Sequence, residues 1–127
     1  MTSVRILVVD DEKMIVDLAT KVLTKLGFVV TGCTDGFRAL EMFAADPDAF
    51  DIVVTDQTMP HLTGFELASK LLNIRPDLPI IMTTGYSEQL QDMDLSAAGI
   101  CALLSKPLRM SKLAEVVSEM MHAEPQV

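Results

Sequence analysis

The sequence has little of what often carries a site or a fold by itself. Only two cysteines, Cys33 and Cys101, and two histidines, His61 and His122, occur in 127 residues. Two thiols make no disulfide framework, and too few ligand types remain for a structural zinc site. Both cysteines fall in or beside apolar, strand-like stretches, so two buried, reduced thiols of a cytoplasmic protein are expected. Basic side chains are scarce: ten Lys and Arg stand against eighteen Asp and Glu, a net charge of −8. That balance argues against non-specific contact with nucleic acid. It suits a cation site, although most acidic surfaces are simply solvated. Long hydrophobic runs are missing too. Half the residues are apolar and the mean hydropathy is +0.35, yet no run approaches the about 20 residues of a membrane span. The N-terminus enters a strand almost at once, so no signal peptide is expected. No internal repeat or low-complexity segment occurs, and the length suits one domain with a sizeable core.

What is present is a strict alternation of strand and helix patterns. The run from Val4 to Val9 is a β-branched strand closed by Asp10-Asp11. Met14, Ile15, Leu18, Ala19, Val22, Leu23 and Leu26 recur at helical spacing, with Gly27 as the stop. A second strand covers 28–33, to which Gly32 is a mild objection. Ala39, Leu40 and Phe43 mark a short helix. The third strand, Ile52-Val53-Val54, runs to Asp56, and Pro60 forces the chain to turn. A helix around Phe65, Ala68, Leu71 and Leu72 follows, then a strand over 79–83 that leads into Thr84-Gly85. A fourth helix is expected over 87–98 on a thin apolar stripe, which makes it the least stable element. A fifth strand over 100–104 precedes Ser105-Lys106-Pro107, and a last helix carries Leu113, Val116, Val117, Met120 and Met121. This pattern predicts an α/β fold: a doubly wound, parallel five-stranded sheet in the order 2-1-3-4-5. The folded core should span about 4–122, with 123–127 as a tail.

That order sets Asp10 and Asp11 beside Asp56 at the carboxyl rim of the sheet, where ligands of open α/β folds bind. Three carboxylates in a partly desolvated site repel one another, and a hard divalent cation such as magnesium resolves the conflict. Asp11 and Asp56 are the expected direct ligands, the Thr58 carbonyl a third, and Asp10 acts through a metal-bound water. Asp56 is a carboxylate nucleophile for a phosphoryl group. Lys106 supplies a point charge and Thr84 a hydroxyl for the incoming oxygens, while Gly85 permits close approach. The Lys106–Pro107 bond is open to either isomer, since proline makes the cis form inexpensive. Singly, each part has a plainer explanation: a helix N-terminus for Asp10-Asp11, a turn for Asp56, a loop for Thr84-Gly85. His61 reads as a solvent-facing loop residue. Only the joint occurrence at successive strand ends is specific.

Asp10-Asp11, Asp56 with Met59-Pro60 and Gly64 behind it, Thr84 and Lys106-Pro107 together resemble the receiver domains of bacterial two-component response regulators. The likeness covers about residues 4 to 122. It implies a flavodoxin-like (βα)5 fold, magnesium (or manganese) dependence and phosphorylation of Asp56. The donor would be the phosphohistidine of a sensor histidine kinase or histidine phosphotransfer domain. It also implies that the domain catalyses its own phosphorylation and dephosphorylation, without being a stand-alone enzyme. In that family the threonine at the Thr84 position moves inward on phosphorylation and an aromatic residue on the fifth strand follows it. Leu103 stands at that place here, which weakens the usual switch. Thr58 and Tyr86 occupy the positions that tune dephosphorylation, and the bulk of Tyr86 implies a fairly long-lived phosphate. An effector or a second copy would meet the face formed by the fourth helix, the fifth strand and the last helix, without direct nucleic-acid or membrane contact.

The run Pro79–Glu88 also looks like receivers of hybrid histidine kinases. The chain is therefore expected to be a stand-alone receiver or a segment of a longer protein, in a hybrid kinase the cytoplasmic portion of a membrane-bound one. Three rival readings fit the residues less well. A phosphatase of the haloacid dehalogenase type wants Asp-x-Asp after its first strand and a cap insertion, and neither is present. A flavodoxin-type flavin binder needs a Gly/Ser/Thr-rich phosphate loop after the first strand, also missing. A receiver used only for docking would not need its complete set of site residues.

Overall fold

The computed structural model describes residues 3–85 and 99–122. The predicted helix over 87–98, Tyr86 and the tail lie outside the described residues. Five strands, β1 (Arg5–Val9), β2 (Val29–Cys33), β3 (Ile52–Asp56), β4 (Ile80–Thr84) and β5 (Ala102–Ser105), alternate with α1 (Lys13–Lys25), α2 (Gly36–Ala45) and α3 (Gly64–Ile74) before a C-terminal helix, Met110–His122. All strand pairs are parallel, in the order β2-β1-β3-β4-β5. The architecture is the expected one.

The sheet is buried on both faces because its strands are apolar in both phases. On β1, Leu7 and Val9 face one core with Val53, Met82, Phe43 and Leu71, against α2 and α3. Ile6 and Val8 face the other with Ile52, Val54, Ile81, Leu23 and Leu113, against α1 and the C-terminal helix. Every residue of β3 and β4 is buried. The strand that ends in Asp56 is therefore fixed on all sides in the register that sets Asp56 opposite Thr83, and a one-residue slip would exchange its side chains between the two differently packed cores.

Two local expectations, on α1 and on Cys101, need correction, and the objection to β2 falls away. The buried stripe of α1 is Val16, Ala19 and Leu23, whereas Met14 is 83% and Leu18 47% exposed. Apolar residues surround much of this helix, and each residue step rotates about 100°, so periodicity alone does not fix which row faces the sheet. Gly32 does not interrupt β2. A Cβ there would collide with Val16 Cγ1, so the glycine is what lets α1 lie close on the sheet edge. Cys33 is buried as expected, but Cys101 is exposed, because β5 begins one residue after it.

α3 begins with a capping box. The Thr63 hydroxyl accepts the Glu66 N–H at 3.2 Å, and Glu66 accepts the Thr63 N–H at 2.9 Å. The Glu66 carboxyl is held below its usual range, first by the Thr63 backbone bond and then by its hydroxyl. Gly64 starts the helix against the end of β3: a Cβ there would lie 2.5 Å from the Asp56 carbonyl oxygen. Its N–H donates to the Gln57 carbonyl at 3.0 Å, and the Phe65 N–H donates to Gln57 Oε1 at 2.8 Å.

Candidate functional site: an acidic pocket at the carboxyl rim

β1, β3, β4 and the turn after β5 bring their polar ends to one rim. Asp56 is only 2% exposed, as is Asp10. Oxygens of Asp10, Asp11 and Asp56 lie within 4.8 Å of one another. Lys106 reaches in from the far side, with Nζ 3.2 Å from Asp56 Oδ2, 3.6 Å from Asp10 Oδ2 and 3.9 Å from Glu12 Oε1. Its peptide bond to Pro107 is cis. The Lys106 N–H donates to the Thr84 carbonyl at 2.7 Å. A cavity of about 410 Å³ opens above this cluster, lined by Asp11, Glu12, Asp56, Thr58, Gly85 and Lys106.

The electrostatics follow from burial. Asp10 is raised to about 6, chiefly by desolvation and further by the charges of Asp56 and Asp11. The Glu12 N–H, donating to Asp10 Oδ1 at 2.9 Å, and Lys106 oppose the rise. Asp56 is raised as well, by burial first, against the pull of Lys106 and the Thr58 N–H. Burial pushes the Lys106 ammonium down, but Asp10, Asp56 and Glu12 together outweigh it and raise its pKa. One ammonium therefore serves two buried carboxylates, Asp10 and Asp56, that burial makes costly to ionise, and also reaches the exposed Glu12. This donor set fits a hard divalent cation: several carboxylate oxygens converge, and a negative charge excess is left for the ion to neutralise.

The sequence-predicted residues come together as follows. Asp10, Asp11, Asp56 and Lys106 form one cluster, and Thr58 and Gly85 line its cavity. Thr84 is buried at the end of β4, opposite Ser105. Leu103 is half-buried and packs toward the α2–α3 core. It also lines a cavity of about 290 Å³ with Leu104, Pro107, Leu108, Arg109 and Lys112. His61 is exposed in a tight turn with φ 72°, where the Leu62 N–H donates to the Pro60 carbonyl at 2.8 Å. Sequence reasoning missed Thr83, whose Oγ1 lies 3.5 Å from Asp56 Oδ1, and the part Gln57 plays in seating α3. Both depend on register and loop path, which no local pattern encodes. A further cavity, about 490 Å³, lies at the amino ends of the strands. Its ionic side chains are already paired, Arg5 with Asp51 and Arg75 with Asp77, each at 3.3 Å.

The model of the response regulator receiver domain matches residues 6–118. The chain belongs to the response regulator receiver family. This receiver is 33% identical over 119 residues to the response regulator receiver protein CpdR of Brucella abortus, covering 94% of this chain and 98% of that protein. It is 36% identical over 109 residues to the two-component response regulator ARR11 of Arabidopsis thaliana, covering 86% of this chain but 21% of the relative. The receiver thus spans about a fifth of the length of the plant relatives that it matches. Among solved structures, a CheY-like receiver domain protein of Methanospirillum hungatei superposes with a TM-score of 0.87 at 28% identity, covering 95% of each chain. The response regulator TrrA of Thermotoga maritima, solved in complex with Mg(2+)-BeF, superposes with a TM-score of 0.81 at 31% identity, covering 92% of this chain and 98% of that one. Receiver domains of this family act with histidine kinases or phosphotransfer proteins and are not classical enzymes. No helix among the described residues is long and apolar enough to cross a membrane.

Proposed function

We propose that this receiver accepts a phosphoryl group on Asp56 from the phosphohistidine of a kinase or phosphotransfer domain, with magnesium, or manganese in its place. The observation that carries the reading is the position of Asp56. It is a buried carboxylate at the end of a fully buried central strand, 3.2 Å from Lys106 Nζ and clustered with Asp10 and Asp11. Asp10, Asp11 and Asp56, with the Thr58 carbonyl, would hold the cation. When bound, the cation supplies positive charge that keeps the carboxylates ionised and offsets charge on the transferred group.

The chain's own residues do the rest. β3 and Gly64 hold the Asp56 backbone so that one carboxylate oxygen faces the cavity. That oxygen forms the bond to phosphorus as the bond from phosphorus to the donor imidazole nitrogen breaks, and the imidazole keeps the electron pair. Lys106 is placed to shift its ammonium from Asp56 onto a phosphoryl oxygen, a charge-assisted contact that strengthens as charge moves outward. The Thr84 hydroxyl is assigned a second oxygen. Movement of Thr84 and of the segment after it would then alter the face around β5 and the C-terminal helix, where an effector or a second copy binds. Leu103 stands where an aromatic switch residue would be, so that readout is muted or of another kind. The reading treats residues 1–127 as one receiver, either alone or as the cytoplasmic receiver segment of a hybrid kinase, that catalyses its own aspartyl phosphorylation and dephosphorylation. Tyr86 and Thr58 are assigned the tuning of phosphate lifetime.

The test is incubation with acetyl phosphate and magnesium followed by intact-mass measurement. One phosphoryl adduct, absent in Asp56→Asn, supports the reading. No adduct with any donor would leave a docking module.

A further inference from the structure

Thr83 breaks an apolar row. The side chains that precede it on this face of β3 and β4, Ile52, Val54 and Ile81, lie in the core against α1 and the C-terminal helix, as does Leu104, opposite it on β5. The row ends in two polar residues paired across the strands, Asp56 and Thr83, each 2% exposed. Valine has the same β-branched shape and also favours strands, so packing gives no reason for a hydroxyl here. A buried hydroxyl needs a hydrogen-bond partner. The acceptor is the Asp56 carboxylate: Thr83 Oγ1 donates to Oδ1 at 3.5 Å. The contact is long in the resting protein, as bonds that tighten in a transition state often are.

The two oxygens of Asp56 have different neighbours. Oδ2 faces Lys106 Nζ at 3.2 Å, and Lys106 lines the cavity. Oδ1 faces Thr83, which is buried and not part of the cavity's lining. A group that arrives through the cavity therefore meets Oδ2, and Oδ1 keeps its donor.

We propose that the Thr83 hydroxyl stabilises the carboxylate that leaves when the Asp56 phosphate is lost, and so shortens the lifetime of that phosphate. The inference rests on the phosphoacceptor reading and adds a residue to it. In the aspartyl phosphate, Oδ2 is bonded to phosphorus and Oδ1 is the acyl carbonyl oxygen. In dephosphorylation a water oxygen bonds to phosphorus as the Oδ2–phosphorus bond breaks. The electron pair of that bond returns to the carboxylate, and the water's proton passes to a phosphate oxygen or to solvent. Transition states of phosphoryl transfer are loose, so the breaking bond is largely gone and the negative charge is spread over Oδ1 and Oδ2. A hydrogen bond to a carboxylate is roughly twice as strong as one to a neutral carbonyl. The Thr83 bond is thus weak in the acyl phosphate and strong in the transition state, the difference that accelerates a reaction. Phosphorylation travels the same path from the other end. There Oδ1 belongs to a carboxylate in the ground state and nearly so in the transition state, so the hydroxyl contributes little. It acts on the loss of phosphate and not on its gain.

Thr83→Val tests this, with Thr83→Ser to restore the hydroxyl. Each protein is phosphorylated with acetyl phosphate and magnesium, freed of donor by rapid desalting and followed by intact mass. Thr83→Val should gain the adduct within about twofold of the wild-type rate and lose it about fivefold more slowly. Thr83→Ala, also without the hydroxyl, should show the same slow loss, and Thr83→Ser should decay within about twofold of the wild type. A purely structural role would slow the gain instead. In the infrared difference spectrum of phosphorylated against free protein, the acyl carbonyl band should lie at higher frequency in Thr83→Val, because the bond to that oxygen is missing. Equal decay of the wild type and both hydroxyl-free variants overturns the proposal, as does gain slowed as much as loss, or a carbonyl band that does not move. No adduct on the wild type overturns the phosphoacceptor reading itself, and this inference with it.

Discussion

Asp10 is where the site's energetics are most exposed to measurement. Its carboxyl is raised from 3.8 to about 6 by burial and by neighbouring carboxylates. Below the lower value it is protonated in both folded and unfolded chains and contributes nothing. Between about 4 and about 6 the folded chain binds more proton than the unfolded one, so stability falls as pH rises. Above that window the loss is complete, at about 3 kcal/mol for the metal-free protein. Asp10→Asn keeps an acceptor for the Glu12 N–H and removes the charge. We predict that it is the more stable protein at neutral pH without metal, by up to about 3 kcal/mol, and that the gap closes toward pH 4. Urea titrations of both proteins across that range check this, and their difference cancels opposing carboxylates such as Asp51. Magnesium should stabilise the wild type and leave Asp10→Asn much less changed. The residues that carry this chemistry were legible in the sequence because each is a polar residue that ends an apolar run. Thr83 was not, since only the pairing of β3 with β4 puts its hydroxyl beside Asp56.

The junction of β3 with α3 decides how well Asp56 is held. Gly64→Ala sets a methyl group 2.5 Å from the Asp56 carbonyl oxygen, which is backbone and cannot yield cheaply. The expected cost is about 1–3 kcal/mol in chemical denaturation, with a slower rate of phosphorylation because the strand end moves. Thr63→Ala acts on the same helix differently. It removes the acceptor for the Glu66 N–H and should cost about 1 kcal/mol, while phosphorylation stays within about twofold of the wild type. The contrast separates seating of the helix on Asp56 from stability of the helix itself. Element order and type could be read from the sequence, since strand and helix runs are bounded by turn residues. The buried row of α1 could not. Val16 lies deep because Gly32 has no side chain, a fact of packing between two elements rather than of either one.

For the whole molecule, the parallel sheet converts scattered residues into one site. Residues 10, 56 and 106 meet, with Thr84 ending the neighbouring strand, only because the order β2-β1-β3-β4-β5 sets these strand ends side by side. The doubly wound topology followed from the strand–helix alternation and two-sided burial, so the site could be placed on the sequence before any distance was known. What the alternation did not carry is the onward path from Asp56. Leu103 departs from the aromatic pattern and sits half-buried beside its cavity. Asp56 is proposed above as the phosphoacceptor of this acidic pocket. Its most direct test is the intact mass of the wild type and of Asp56→Asn after acetyl phosphate, with and without magnesium. A single phosphoryl adduct on the wild type, dependent on magnesium and absent in Asp56→Asn, is the expected result. An adduct that persists in Asp56→Asn, or forms equally well in a chelator, would contradict it.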